Sequence, residues 1–236
     1  MRILAGTSGY AFKEWKGPFY PKDLKDAGML GYYSSRFPTV EINNTFYRLP
    51  SEKVMADWAG QVPEQFSFAI KASQRITHYQ RLKPESIEVV EYLVRTTAAL
   101  GERLGPILFQ CPPNLKKELD RLRAFLDKLP EGRRYAIEFR HPSWFEGDVL
   151  DALREHNVAL VAIEQDDFKG PVEATASWGY LRLHKLDYQP EEIADWAKRV
   201  SGGTWREAYV YFKHDEGPGS GPAAVQEFQR VCAGLA

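Results

Sequence analysis

The sequence is poor in cysteine and has no long apolar run. Its 236 residues include two cysteines, Cys111 and Cys232, which are too few for a disulfide framework. Such a chain is typical of a reducing compartment, so we expect a cytoplasmic protein. No apolar stretch approaches the ~18 residues that a membrane span needs, and the first residues lack the layout of a signal peptide. The sequence therefore predicts no membrane partner.

The chain also lacks an excess of charge of either sign. The 31 Lys and Arg residues face 32 Asp and Glu residues, which gives a net charge of -1. This balance argues against a broad basic face for duplex DNA, although it is compatible with a local basic groove. Aromatic residues, in contrast, are abundant at 13%. Their number leaves aromatic side chains for loops and pockets after the core is filled.

Eight short apolar runs alternate with helical patterns along the chain. The predicted strands are Arg2–Gly6, Thr39–Asn43, Phe66–Lys71, Pro106–Gln110, Tyr135–Arg140, Val158–Glu164, Gly179–His184 and Glu207–Lys213. Apolar stripes at the helical period follow most of them, within 24–37, 87–101, 119–129, 193–200 and 225–235. After the sixth strand, Asp167–Ser177 carries no such stripe and is expected to form a loop.

This order of elements predicts an α/β protein, a single (β/α)8 TIM barrel over residues 1–236. The alternative is a doubly wound open sheet, which would need fewer strands. Such a sheet often begins with a glycine-rich phosphate turn, and Gly6-Thr7-Ser8-Gly9 is too short for the dinucleotide-binding fingerprint.

Side chains alternate between the two faces of a strand, so each predicted strand can be divided by parity. From the second strand to the eighth, one parity is apolar and the other turns polar toward the C-terminal end, where barrel enzymes place their chemistry. In the sixth strand this division puts Val161 and Ile163 against the helices. The charged set predicted to face inward is Glu41, Lys71, Glu138, Arg140, Glu164, Asp166, Arg182, His184 and Lys213. Because isolated buried charges are unfavourable, this set either pairs internally or binds a ligand.

A series of short motifs runs along nearly the whole chain. They are Gly6–Tyr10 with Trp15–Pro21, Thr39–Asn43 with Thr45–Pro50, Lys71 with Ile76–His78, Gly105–Gln110 with Pro112-Pro113, Glu138–Trp144, Tyr180–His184 and Tyr209–Phe212. Together they resemble the YecE-like family, also called domain of unknown function 72. The resemblance implies a (β/α)8 barrel of bacterial or archaeal type and no settled activity, so function has to be argued from the site.

One segment departs from the family pattern. Many relatives carry Asn-Asn after the aromatic residues of the eighth strand, where this chain has Lys213-His214-Asp215. The charge at that end of the pocket therefore differs. Of the functional roles that the resemblance implies, one on the eighth strand is therefore the least safely carried over to this chain.

Glu41 and Glu138 are the first candidates for catalysis. They belong to the second and fifth strands, on roughly opposite sides of a barrel. Two carboxylates across a pocket can act as acid and base, or as acid and nucleophile in glycoside hydrolysis. The alternative is that each pairs with a cation, for example Glu138 with Lys71 or Arg182. His141, just past the fifth strand, is added as an acid–base candidate.

Cations at the same strand ends are candidates for holding an anionic substrate group. Arg suits bidentate contact with phosphate or carboxylate, and Lys supplies a point charge. With neighbouring loop residues, the predicted substrate-binding set is Asn43, Tyr47, Arg48, Lys71, His78, Arg140, Trp144, Asp166, Arg182, His184 and Lys213. The loop aromatic residues would either stack on a sugar or base or pack as a lid over the rim.

Motifs for metals and for serine nucleophiles are missing. No H-x-H or H-E-x-x-H spacing occurs, and cations at the mouth would repel a divalent ion, so we predict no metal and no cofactor. A mixed divalent site drawn from several strands is the alternative that spacing does not reveal. Ser8 lacks the G-x-S-x-G frame of a nucleophile elbow, and no partner histidine can be assigned to it.

The sequence thus favours an enzyme that acts on a small polar anionic substrate, such as a phosphorylated sugar or nucleotide. Hydrolysis or proton transfer by Glu138 or Glu41 would occur at the C-terminal face of the barrel. Two alternatives stay open: a barrel that binds or processes nucleic acid, and a non-catalytic ligand-binding barrel. The sequence does not indicate the oligomeric state.

Overall fold

Eight parallel strands form one sheet in the computed structural model, which describes residues 1–213 and 220–235. The strands are β1 Arg2–Thr7, β2 Thr39–Ile42, β3 Ser67–Lys71, β4 Leu104–Gln110, β5 Tyr135–Glu138, β6 Ala159–Glu164, β7 Trp178–Leu183 and β8 Glu207–Phe212. Hydrogen-bonded neighbours follow the order β1-β8-β7-β6-β5-β4-β3-β2. The sheet curls round until β1 and β2 meet, so the predicted single (β/α)8 barrel is confirmed.

Seven α-helices, counted over the described ranges, accompany the strands. They are α1 Met29–Ser34, α2 Glu52–Ala59, α3 Ser86–Thr97, α4 Leu119–Leu126, α5 Gly147–Glu155, α6 Pro190–Ser201 and α7 Ser220–Leu235. Helices α2 and α5 lie where we predicted no stripe, because they are short and bury one and three side chains. The segment between β6 and β7 has no helix, as expected. In the described part of the chain, no helix is long and apolar enough to cross a membrane.

Apolar side chains form two layers separated by the sheet. The larger layer packs the outer strand faces against the helices. The smaller one fills the barrel with Leu4, Ala69, Leu108, Ala136, Ala159, Val161, Ile163, Trp178, Tyr180, Tyr209 and Tyr211. On β3, β5 and β7 these inner residues share the parity of the charged side chains at the strand ends. The interior therefore turns from apolar to charged toward its C-terminal mouth.

Strand β6 is the exception, and its predicted parity is wrong. Val161 and Ile163 belong to the inner layer, in register with Tyr180 and Arg182 of β7. Ala162 belongs to the layer that faces the helices. Both parities of β6 are apolar up to Ile163, so alternation could not decide between them. The register with β7 decides, because paired residues of parallel strands share a face.

Glu164 and Asp166 therefore lie away from the barrel interior, against expectation. Glu164 pairs with Lys169 and accepts a hydrogen bond from Trp196 Nε1 of α6 at 2.6 Å. Asp166 is exposed and accepts the backbone N–H of Leu186 at 3.1 Å. Neither carboxylate joins Glu41, Glu138 and Arg182, which pair inside the barrel and which we call the ion centre.

A tyrosine hydroxyl joins β1 to β2. Gly6 comes so close to β2 that a Cβ there would lie 2.0 Å from Thr39 O. Tyr33 OH of α1 accepts the Thr7 backbone N–H at 2.8 Å and donates to Thr39 O at 3.1 Å. These contacts join the C-terminal end of β1 to the first residue of β2. Ser8, just after β1, then pairs with Glu41 of β2, where the candidate site begins.

Candidate functional site

One arginine joins the two candidate catalytic glutamates in the barrel. Arg182 Nε and Nη2 each donate to one carboxylate oxygen of Glu41 at 3.0 Å. Its Nη1 donates to Glu138 Oε2 at 2.5 Å. All three side chains are buried. The planar guanidinium suits this bidentate contact, and the trio connects β2, β5 and β7.

Each glutamate has further donors. Ser8 Oγ and Tyr180 OH donate to Glu41, both at 2.7 Å. Asn43 Nδ2 donates to the same carboxylate at 3.0 Å. Counting the two bonds from Arg182, Glu41 accepts five hydrogen bonds and its oxygens are fully engaged.

Glu138 is engaged in the same way. Gln110 Nε2 donates to it at 3.0 Å, and Arg140 Nε donates at 2.6 Å. Burial raises the pKa of Glu138, but Arg182 and Arg140 outweigh burial and lower this pKa to about 2. Burial likewise raises the pKa of Glu41, but Arg182 and the hydrogen bonds from Tyr180 and Ser8 outweigh burial, and this pKa is also lowered. Both groups are ionised at neutral pH, so neither can donate a proton there.

Ser8 has a histidine neighbour that the sequence analysis did not assign. Its Oγ donates to Glu41 and lies 2.9 Å from His184 Nε2. Because the hydroxyl has a single proton, His184 has to donate its Nε2–H to Ser8. Burial, reinforced by Arg182, keeps the pKa of His184 well below its usual value, so this ring is neutral. In a catalytic triad the histidine lies between acid and serine, whereas here the serine lies between acid and histidine.

Lys71 has no carboxylate partner within the described residues. It ends β3, is partly buried, and its Nζ lies 4.2 Å from the centroid of the Phe46 ring. Burial, together with the charge of Arg182, lowers the pKa of Lys71 to about 8, although Glu41 and Glu138 oppose this shift. A partly desolvated amine of this kind either loses its proton or gains from binding an anion.

His78 approaches the same aromatic ring from the loop after β3. It lies in one turn of π-helix, Arg75–Tyr79, and its ring centroid is 5.0 Å from that of Phe46. Burial, followed by Lys71 and Arg140, lowers the pKa of His78, so the imidazole is neutral at pH 7. Single π-turns are frequent at functional sites, and this one presents a neutral base beside Lys71.

Positive charge exceeds negative charge at the mouth. Arg140 uses Nε for Glu138, and its other N–H groups meet no carboxylate among residues 1–213 and 220–235. Lys213 follows β8 and is partly buried. His214 and Asp215, which mark the departure from the family pattern, lie outside the described residues. Within those residues, the cations close to the two glutamates are Arg182, Arg140 and Lys71, and Lys213 is close enough to His184 to lower its pKa.

An aromatic cleft of about 360 Å³ opens beside the ion centre. Its aromatic walls are Tyr10, Phe12, Tyr47 and Trp58. Ser8 and Asn43 line the cleft and also bind Glu41, so the cleft and the ion centre are continuous. The Oδ1 atom of Asn43 is buried and has no hydrogen-bond partner in the described part of the chain. Within the described ranges, the Asn43 side chain thus carries an unpaired acceptor where the cleft meets the ion centre.

Trp144 was placed in the substrate-binding set, and the structure contradicts this. Its ring is buried and stacks on Phe139 with centroids 4.3 Å apart. Its Nε1–H donates to Leu115 O at 2.7 Å. Trp144 thus belongs to the layer between sheet and helices, where it supports the loop after β5.

His141 and Arg48 are at the rim without contacts to the ion centre. His141 Nδ1 accepts the Ser143 backbone N–H at 3.2 Å and caps a 3-10 turn, Pro142–Trp144. Arg48 is exposed on the loop after β2. The loop cap gives His141 a structural role, and no contact brings Arg48 to the mouth among the described residues.

The site residues that were not singled out from the sequence include Tyr180 and Trp58. Tyr180 shares the inward parity of Arg182, so the signal for it was present. Trp58 comes from α2, whose pattern was too short to be recognised. The cleft therefore depends on a helix that periodicity did not reveal.

The described residues contain no group of three or more His, Cys, Asp or Glu side chains that could hold a metal ion. Glu41 and Glu138, the natural ligands of a mixed divalent site, are bound to Arg182 instead. The surplus of cations at the mouth favours anions over metal ions.

The chain is similar to known proteins over almost its whole length. The family model described as "Protein of unknown function DUF72" matches residues 4–234. The UPF0759 protein YunF of Bacillus subtilis (strain 168) is 26% identical over 257 aligned residues, covering 91% of this chain and 89% of that protein. The UPF0759 protein YecE of Escherichia coli (strain K12) is 36% identical over 114 residues, covering 48% of this chain. That alignment spans 42% of YecE, less than half of its length.

Solved structures match the barrel as a whole. A DUF72 family protein (TM1631) from Thermotoga maritima superposes with a TM-score of 0.80 at 25% identity, covering 99% of this chain and 100% of that chain. A DUF72 family protein (EF0366) from Enterococcus faecalis gives a TM-score of 0.77 at 21% identity, with 98% of both chains covered. The second likeness shows the fold alone.

Proposed function

The chain belongs to the DUF72 family of proteins of unknown function, and we propose that it is an enzyme that binds a small anionic molecule at the mouth of its barrel. The observation that carries the proposal is Lys71, a partly buried cation without a carboxylate partner in the described residues, next to an ion centre whose carboxylates are already satisfied. The anionic group of the substrate would be a carboxylate or a phosphate.

Anion binding follows from the charge surplus. Arg140 has N–H groups that no described carboxylate uses and that suit bidentate contact, and Lys71 adds a point charge. An anion at 4 Å from one such cation gains about 4 kcal/mol at an effective dielectric constant of about 20, against about 1 kcal/mol in bulk water. Partial burial therefore makes this pair of cations a stronger anion site than exposed lysines or arginines.

The rest of the substrate would occupy the aromatic cleft. Tyr47 is exposed and offers a ring face for a sugar or a base, and such stacking is a common use of exposed aromatic side chains. Asn43 Oδ1 would accept a hydrogen bond from a hydroxyl or amine of the ligand. A phosphorylated sugar or a nucleotide combines these features.

The chemistry would use Lys71 and His78 rather than the glutamates. Glu41 and Glu138 are ionised and hold Arg182, so we assign them a positioning role instead of the acid–base role expected from the sequence. At neutral pH, His78 is neutral and can take up a proton, whereas most of Lys71 is protonated and can donate one. Proton transfer by these two side chains is the reaction class that the geometry supports best.

A binding screen tests the proposal. Thermal shifts are measured with phosphorylated sugars, nucleotides, small carboxylic acids and short single-stranded oligonucleotides, each at low and high salt. We expect a small anion to raise the melting temperature in a way that persists in salt and is lost in Lys71→Met. Lys169→Met is the matched control, because Lys169 pairs with Glu164 outside the barrel.

Three outcomes would overturn the proposal. If no compound of the panel shifts the melting temperature, the charged side chains at the mouth form an internal ion network rather than a binding site. Shifts with oligonucleotides alone, lost at high salt, would favour the nucleic-acid alternative. A shift that Lys71→Met leaves unchanged would place the anion elsewhere.

A further inference from the structure

We propose that Lys71 forms a covalent imine with the carbonyl carbon of its substrate. The inference rests on the proposed function, since it assigns a chemical step to the same anion-binding mouth. It narrows the substrate class to small aldehydes or ketones that also carry a carboxylate or a phosphate.

The surroundings of Lys71 differ from those of other lysines in the barrel. Lysines that pair with carboxylates include Lys16, Lys117, Lys169, Lys185 and Lys198. Lys169 is the nearest analogue, because its Nζ lies 5.1 Å from the centroid of the Trp196 ring, but it also pairs with Glu164. Among the described residues, Lys71 has the aromatic ring without a carboxylate partner, and we therefore take its amine as available for a bond to a ligand.

The protonation state supports attack by this amine. The charged groups that influence Lys71 are Arg182 of β7, Glu41 of β2, Glu138 of β5 and Arg140 after β5, and Lys71 in turn acts on His78. Burial and the two arginines prevail over the two glutamates and lower the pKa of Lys71 to about 8. At pH 7 about a tenth of such an amine is neutral, against roughly 0.03% of an ordinary lysine. The nucleophilic fraction is therefore about 300-fold larger.

The step balances without a cofactor. The lone pair of neutral Nζ attacks the carbonyl carbon, a C–N bond forms, and the π electrons move to oxygen, which takes up a proton from solvent. The nitrogen then loses a proton, the hydroxyl leaves as water, and the nitrogen lone pair forms the C=N bond, which gives the protonated imine. His78, beside the same ring as Lys71, would accept the proton from nitrogen and return it to the leaving hydroxyl.

The neighbouring cation, Arg140, determines which other group the substrate has to carry. Free N–H groups of Arg140 near Lys71 would hold a carboxylate or phosphate while the carbonyl reaches Nζ. An imine on Lys71 withdraws electrons from the adjacent carbon, which makes a C–H or C–C bond at that carbon easier to break. The anion thus orients the substrate, and the amine activates it.

Reductive trapping on the whole chain tests the inference. The protein is incubated with pyruvate, glyceraldehyde 3-phosphate or uncharged propionaldehyde, with and without sodium borohydride, and mass spectrometry with peptide mapping locates the adduct. Borohydride adds hydride to the imine carbon and leaves a stable secondary amine. At pH 8 we expect an adduct at Lys71 that forms at least tenfold faster than at any other lysine with the two anionic probes.

Two matched variants separate this inference from the proposed function. Lys71→Arg keeps the cation but cannot form an imine, so we expect it to lose the adduct and keep the thermal shift with anions. Lys169→Arg should keep both. An anion-dependent shift in the unmodified protein without an adduct at Lys71 would overturn the imine and leave the proposed function standing. Absence of both would overturn both.

Two further outcomes keep the inference testable. Equal labelling of Lys71 by propionaldehyde and the anionic probes would overturn the restriction to anionic substrates. If Lys71→Arg does not fold, the pH profile of trapping in the unmodified protein decides. A midpoint near 8 supports the inference, and a midpoint like that of surface lysines overturns it.

Discussion

The centre of the barrel and its mouth use the same kinds of side chain in opposite ways. In the centre, Arg182 meets two carboxylates, and both carboxylates are saturated with donors. At the mouth, Lys71 and Arg140 keep capacity that no described carboxylate uses. From this comparison we infer that a buried charge has a structural role when oppositely charged partners use all of its hydrogen-bonding capacity. A buried charge with unused capacity is available for binding or chemistry.

The opposite end of the barrel supports this distinction. Glu207 is buried there, pairs with Arg2 at 3.1 Å and also contacts Arg134. The Arg134 guanidinium in turn donates to Tyr209 OH at 3.1 Å and lies over the Trp178 ring. At that end, as in the centre, each of these charged side chains has a partner of opposite sign, whereas Lys71 at the mouth has none among the described residues.

The largest effect on stability is expected from removing the arginine that joins the two buried glutamates. Arg182→Leu would leave Glu41 and Glu138 buried without their shared cation, which we expect to lower the free energy of unfolding by about 3–5 kcal/mol. Urea denaturation followed by circular dichroism measures the change. Arg95→Leu is the control, since Arg95 is exposed on α3. A loss below about 1 kcal/mol, within the range of ordinary substitutions, would mean that the trio is not a closed structural unit.

Alternation along single strands was enough to predict much of this arrangement. It placed Glu41, Lys71 and Arg182 on inward faces near strand ends, because the apolar parity of their strands is unambiguous. It was wrong for β6, where both parities are apolar and neighbouring strands decide the orientation. Local pattern therefore predicts facing only where the two faces differ in polarity.

Pairing and loop packing could not be predicted in the same way. Arg182 meets Glu41 across the barrel, and this contact depends on closure of the sheet between strands that are distant in sequence. His78 reaches Phe46 because of a π-turn that has no evident sequence signal. Trp144 resembled a rim aromatic in sequence, but stacking on Phe139 buries it. These outcomes depend on tertiary contacts rather than on local periodicity.

A smaller effect, with a sign that depends on pH, is expected from Lys71→Met. The pKa of Lys71 is lower in the folded protein than in the unfolded chain, so the unfolded chain binds more protons between pH 8 and 10.5. The free energy of unfolding contributed by this residue therefore rises with pH across that window. Below pH 8, Lys71 is protonated in the folded protein, and the burial of its charge destabilises the fold. We expect Lys71→Met to be more stable at pH 7 by about 1 kcal/mol and to lose this advantage near pH 10.

Urea denaturation at a series of pH values measures this difference against the unmodified protein. The control is Lys169→Met, whose lysine pairs with Glu164, and we expect it to be neutral or slightly destabilised at every pH. Destabilisation of Lys71→Met at pH 7 would contradict the comparison, because it would mean that the charge at the mouth is already compensated in the folded protein.

The smallest effect on stability is expected from Tyr47→Ala, which separates ligand binding from packing. Tyr47 is 75% exposed, and its ring meets Phe46 edge-on at 5.1 Å. We expect the free energy of unfolding to change by less than about 0.5 kcal/mol. Loss of one stacking face should weaken the binding of a ring-containing anion about tenfold in calorimetric titration. Tyr92→Ala, on α3 and 51% exposed, is the control for both measurements. Lower stability with unchanged binding would identify the aromatic loops as a packed lid, and the mouth would then recognise its ligand through charge alone.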